Sequence, residues 1–261
     1  MSPRRRILTQ RQSLGGPFPQ TRHSIVADLR SERAELRRSA YDLLVGAYWK
    51  PVFKYIRLKW RADPDEAADL TQGFFLRAFE KQFFASFDPA RARFRTFLRT
   101  CLDGFVANER KAERRLKRGG DRMIVPLDFD LAERELQQQA PTLSPTRQDA
   151  DFDAWFHREW LRSLFATAAD RLRASCDQHS RSRRFTLFAR YDLIDDEDQR
   201  PTYAQLAAEF GLTTNSVTND LAAARREFRR LVLDVLREQC ATDEEFKAEA
   251  RALTGSNPDA V

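Results

Sequence analysis

Residues 201–231 read PTYAQLAAEFGLTTNSVTNDLAAARREFRRL, and they leave the chain little freedom of local structure. Thr202 and Gln205 have the spacing of a capping box, in which two side chains satisfy free backbone donors at a helix start. A helix from Tyr203 to Phe210 then places Leu206, Ala207 and Phe210 toward a core. Gly211 follows, a residue suited to the left-handed conformation that ends helices. Thr213 can cap the next helix. There Val217, Leu221, Ala224, Phe228 and Leu231 recur at steps of four, three, four and three, one apolar stripe. At about 100° per residue, Asn215, Asn219, Ala222 and Arg226 fall on the opposite face, flanked by Thr218, Arg229 and Arg230. The spacing predicts a helix-turn-helix. A hairpin that only packs shows the same stripe. The amides, guanidiniums and small alanine outside are what a major-groove reader needs, because amides pair with adenine edges and arginine with guanine or phosphate.

The rest of the chain also reads as helix. From His23 to about Arg118 the pattern is helical, punctuated by Pro51 and Pro64, with a loop at FDPARAR (Phe87–Arg93) and a stop at Gly119 and Gly120. Before it, residues 1–21 carry Gly15, Gly16, Pro17 and Pro19 and read as a disordered tail. Residues 121–150, with Pro126, Pro141, Pro145 and a glutamine run, read as a linker holding one short helix. A second helical block covers 151–240, with the acidic connection Asp195–Asp198 before Pro201. The C-terminal tail, 241–261, has room for a short helix over Ala241–Leu253. No alternating strand signal appears. The expectation is an all-α protein of two helical domains joined by a flexible linker.

Within the first block, PDEAADLTQGFFLRAFEKQFF (64–84) sets Asp65, Asp69 and Gln72 at i, i+4 and i+7, one polar helix face. Leu70, Phe74 and Ala78 form another, with Phe75 and Phe79 beside it, and read as core. After the loop, Phe94, Phe97, Leu98, Cys101, Leu102 and Phe105 give an inward stripe. Arg91, Arg93, Arg95, Arg99, Arg110, Lys111, Arg114, Arg115, Lys117 and Arg118 outnumber the acids around them. Such a helix beside aromatics can hold backbone phosphates while rings take unstacked bases. Local ion pairs such as Glu109–Arg110–Glu113 are the simpler use of the same charges.

Composition bounds the remaining options. The net charge is +6 with a pI near 9.5, and arginine far outnumbers lysine, which suits bidentate phosphate contact. Cys101, Cys176 and Cys240 are too far apart for a disulfide framework or zinc motif, and no metal site or cofactor is expected. The first residues lack a signal peptide's apolar stretch and no run is long enough to span a membrane, so a reducing cytoplasm is expected. No P-loop, H-E-x-x-H or G-x-S-x-G is present, and an enzyme is not expected.

Taken together, these segments resemble the extracytoplasmic-function type of the sigma-70 family of RNA polymerase sigma factors. DEAADLTQGFFLRAFEK is similar to the D-L-x-Q-x-x-F core of sigma region two, FRTFLRTCLDGFVANERKAERR to the helix that follows it, and 201–231 to region four. YWKPVFKYIR (Tyr48–Arg57), the FDPARARFRTFL run, the KRGG end and the PLD segment opening the linker add to the likeness, which covers roughly residues 22–240. The basic helix holds Gly104 and Asn108 where many members have Asn and Asp, and Phe97 where Trp is common. The resemblance implies a region-two domain over 22–120 and a region-four domain over 151–240. It implies core RNA polymerase and promoter DNA as partners, and admits an anti-sigma factor as a third. Asp65, Asp69, Gln72 and Arg77 would contact the polymerase clamp. Arg91, Arg93, Arg95, Arg99, Asn108 and Lys111 would meet the −10 element as it opens. Asn215, Thr218, Asn219, Ala222, Arg226 and Arg229 would read the −35 element. The alternative is a free-standing helix-turn-helix regulator that needs no polymerase.

Overall fold

The architecture follows from a few long amphipathic helices that share one apolar core. The computed structural model describes residues 25–113, 127–139, 149–194 and 197–255. The tail 1–21, the basic run Arg114–Arg118 with Gly119 and Gly120, linker residues Pro126, Pro141 and Pro145, and Asp195 and Asp196 lie outside the described residues. In chain order the helices are α1 (Ile25–Asp28), α2 (Ala34–Lys59), α3 (Pro64–Glu80), α4 (Phe94–Glu113), α5 (Phe129–Gln139), α6 (Asp149–Gln178), α7 (Ser182–Asp192), α8 (Tyr203–Phe210), α9 (Thr214–Gln239) and α10 (Asp243–Thr254). Among the described residues there is no strand, so the fold class is all-α as expected. No described helix is long and apolar enough to cross a membrane.

Local chemistry sets the helix boundaries. Asp63 caps α3 by accepting from the Glu66 N–H at 2.8 Å, and Pro64 fills the first turn, where no amide partner is needed. Pro51 behaves differently from its sequence reading as punctuation. It sits inside the 26-residue α2 without ending it. A proline there removes a helix hydrogen bond and costs about 3 kcal/mol. Its surroundings offset that cost, because Pro51, Val52, Phe53, Tyr55 and Ile56 are all buried and each large apolar side chain contributes roughly 1.5–3 kcal/mol on burial.

Helix α6 joins the two helical blocks, packing along both α2 and α9. On the α2 side, Lys54 and Glu159 form a buried ion pair at 3.0 Å, and Ser163 donates to the Ala47 carbonyl at 3.0 Å. On the α9 side, Trp160 Nε1 donates to Gln239 Oε1 at 2.6 Å, and Arg171 forks onto Glu238 at 2.8 and 2.7 Å. The short α5 lies within the expected linker and packs on α2 and α3. Its Glu133 takes two hydrogen bonds from Arg57, both 2.7 Å, and its Glu135 pairs with Lys50 and Lys54 at 2.7 and 2.8 Å. The Arg57 contact holds the Glu133 carboxyl below its usual range, against the opposing effect of partial burial.

Candidate nucleic-acid interface

The hairpin of α8 and α9 is built as its spacing predicts. Thr202 Oγ1 accepts from the Gln205 N–H at 3.2 Å while Gln205 Oε1 accepts from the Thr202 N–H at 2.7 Å, a complete capping box. Gly211 takes φ 63°, in the left-handed region that a side chain disfavours. Thr213 Oγ1 accepts from the Ser216 N–H at 3.1 Å and starts α9. Val217, Leu221, Ala224 and Leu231 are buried and Phe228 is half-buried against Phe188, so the apolar stripe faces α7 and α8. Arg225 locks this arrangement from the side, forking onto Asp192 at 2.9 and 3.0 Å. Those hydrogen bonds hold its guanidinium above its ordinary value despite some burial.

The outer face of α9 stays open. Asn215, Thr218, Asn219, Arg226 and Arg229 are exposed, and Ala222 is half-buried between them. Thr218 Oγ1 bonds back to the Thr214 carbonyl at 2.9 Å. Arg226 and Arg229 pair with no described residue. Arg230, the third arginine of this segment, is tied along its own helix to Glu227 and Asp234, both at 2.7 Å. Two amides and two uncommitted guanidiniums on one helical face can donate and accept hydrogen bonds at base edges and hold phosphate oxygens.

The second candidate surface is α4 and the loop before it. Phe94, Leu98, Leu102 and Phe105 are buried and Phe97 and Cys101 half-buried, so the expected inward stripe forms. Phe87 in the loop packs its ring on Phe94 and Phe97, at 5.2 and 5.3 Å between centroids. That seat fixes where the arginines emerge. Arg91 is exposed and, among the described residues, pairs with neighbouring Asp88 at 3.3 Å. Arg93 and Arg95 converge on Glu249. Arg99 donates to Tyr55 at 3.2 Å and Asp103 at 2.9 Å and pairs with Asp153. Burial opposes the Arg99 charge, but Tyr55, Asp153 and Asp103 outweigh it and hold its guanidinium above the ordinary value. Asn108 and Lys111 are exposed further along.

The polar face of α3 lies as its spacing predicts. Asp65 and Asp69 are exposed and Gln72 half-exposed, while Leu70, Phe74, Phe75 and Ala78 are buried. Arg77 is exposed but lies over the Phe105 ring and pairs with Glu109 at 2.6 Å. Arg110 reaches Glu66 at 2.8 Å. Glu109 and Arg110 of α4 thus tie it to Arg77 and Glu66 of α3. Sequence reasoning singled out none of Tyr55, Asp153, Trp160 and Glu249, which hold the candidate arginines, nor Glu245, which accepts from the Phe94 N–H. Only the helix carrying Glu245 and Glu249 had a local signal, because Thr242 and Glu245 have cap spacing and Thr242 Oγ1 accepts from the Glu245 N–H at 3.1 Å.

No family model matches the chain, and neither a curated protein nor a solved structure does.

Proposed function

We propose that this chain is an alternative sigma factor, of the extracytoplasmic-function type, that binds core RNA polymerase and directs it to promoters. The reading is supported by one observation: two dissimilar arginine-bearing surfaces and a separate acidic face occur in a single chain. The open face of α9 carries Asn215, Thr218, Asn219, Arg226 and Arg229, suited to duplex DNA. The aromatic-backed arginines of Phe87–Arg99 suit a melted strand. The exposed Asp65–Asp69 face of α3 has no use in either contact and is the docking surface for polymerase.

On this reading the chain works as a two-point grip. The α8–α9 hairpin reads the −35 element, and α4 with its preceding loop holds the −10 element as it opens. Residues 121–150 span the two, and the two blocks separate into domains on the polymerase. Polymerase supplies all of the chemistry. A free-standing regulator explains the α9 face but gives the α3 face no role. A pull-down with core polymerase tests the reading: Asp69→Arg is expected to lose capture at least about tenfold by placing like charge against a basic partner surface. Asn219→Ala is expected to be captured like the parent. Capture of Asp69→Arg at the parent level would contradict the assignment of α3.

A further inference from the structure

The C-terminal helix α10 engages two of the arginines that would meet a DNA strand, the half-exposed Arg93 and the largely buried Arg95. Glu249 is 2% exposed, and a single oxygen of its carboxylate stands 2.5 Å from Arg93 and 2.7 Å from Arg95. One turn earlier, Glu245 lies 3.3 Å from the Phe94 N–H, the first backbone donor of α4. Arg95 is in turn held over the Trp160 ring at 5.0 Å. At the next turn of α4, Asp153 of α6 pairs with Arg99. Three of the arginines assigned to the −10 strand are thus engaged by carboxylates from the C-terminal half of the chain.

The way α10 is anchored is unusual for a structural helix. Its buried residues are Glu249 and Ala250, with Phe246 and Leu253 only partly covered against the core. Apolar burial is therefore modest, and polar contacts supplement it: Glu249 on one side, and on the other Arg237 of α9, which pairs with Asp243 at 3.0 Å and lies over the Phe246 ring. Two guanidiniums and the Phe94 N–H face the two carboxylates of Glu249 and Glu245, so an incoming phosphate gains these donors only by displacing α10. Arginines at the first turn of a helix, with its free N–H groups, form a site for anionic oxygens, and here Glu245 and Glu249 occupy it. Few apolar side chains of α10 are buried, so its detachment is expected toward the low end of local opening costs.

We infer that α10 is an internal mimic of the DNA backbone, whose Glu245 and Glu249 occupy the Arg93–Arg95 cradle that takes phosphates of a single strand. The inference rests on the nucleic-acid reading of α4 given above. In the free chain Arg93 and Arg95 are paired with α10 while Arg91, Asn108 and Lys111 stay exposed, and the strand and α10 compete for the two paired guanidiniums.

Full-length Glu249→Gln and Glu244→Gln test this with a fluorescent thymidine 20-mer, by anisotropy over a salt series. Glu244 is exposed in the first turn of the same helix and controls for the added charge. Glu249→Gln is expected to bind about tenfold more tightly than Glu244→Gln. Its slope against log salt should be steeper by about 1.4, for two phosphates at about 0.7 each. Equal affinity and slope for the two variants would overturn the inference. Hydrogen exchange on the unaltered chain gives a second readout should Glu249→Gln fold poorly. With saturating oligonucleotide at low salt, amides of α10 should lose protection, and unchanged protection in the bound chain would overturn the inference. Polymerase capture is scored separately: unmasking without capture defeats the sigma reading alone, and capture without unmasking defeats this one alone.

Discussion

The arginines of α4 and those of α9 resemble each other in sequence and differ in employment. On α9, Arg226 and Arg229 project from an exposed face and pair with no described residue. On α4, Arg93, Arg95 and Arg99 are each held by acids or rings from other helices. The contrast teaches that a basic face is not yet an available face. Availability depends on which carboxylates the tertiary fold brings up, and here it brings them to one candidate surface and not to the other. On the sigma-factor reading proposed above, an open duplex-facing helix beside a strand surface whose arginines are paired at rest would suit a protein that finds a promoter before it holds a melted strand.

The largest test of this contrast is stability. Arg95→Ala removes the better buried partner of Glu249, with a side chain 11% exposed, and its contact with Trp160. Stranding a buried charge costs roughly 3–5 kcal/mol, but α10 can detach and rehydrate it, so the expected loss is about 2 kcal/mol. Arg226→Ala on the open face should change stability by less than about 0.5 kcal/mol. Urea unfolding of both variants measures the difference, and equal midpoints would erase the distinction. Next in size, Asn219→Ala should weaken binding of polymerase holoenzyme to a cognate promoter about tenfold, the loss of one base contact. Footprinting should place that loss upstream, at the −35 side. A loss confined to the −10 side would exchange the roles of the two surfaces.

Smaller effects sharpen the same comparison. Thr213→Ala should cost about 1 kcal/mol, because the Ser216 N–H loses its cap, and should blunt duplex recognition without touching α4. Thermal unfolding together with single-strand binding would check both halves. The smallest effect is with pH. Burial, and then the charge of Arg95, hold His157 below its ordinary value of 6.5, with Arg93 and Arg158 adding to the shift and Glu249 opposing it. The fold favours the neutral ring, so this contribution is complete above pH 6.5 and is lost as pH falls through that value toward the folded one. The melting temperature should therefore drop less between pH 7.5 and 5.5 in His157→Gln than in the parent. An equal drop would remove His157 from the account.

How much of this was legible in the sequence depended on the range of each signal. Thr202, Gln205, Gly211 and Thr213 act on backbone groups within four residues, so the hairpin could be read directly. The stripe Val217–Leu231 was equally plain, because a helix repeats its faces whatever it packs against. Pro51 read as punctuation because local rules penalise it, and only the buried surroundings of α2 show why the helix continues. Residues 129–139 read as part of a linker, and their hold on Arg57, Lys54 and Lys50 joins residues 76 to 85 positions apart. The Glu249 contacts span 156 and 154 positions. Nothing in a local window marks such a pair, so the covering of α4 became visible only with the fold.

The most direct test of the central claim is run-off transcription with purified core polymerase, using a library of promoter templates and the full-length chain. The account predicts transcripts with defined start points that need both core and chain, and that fall with Asn219→Ala. A chain that shifts duplex DNA alone, never associates with core and yields no defined start would contradict it.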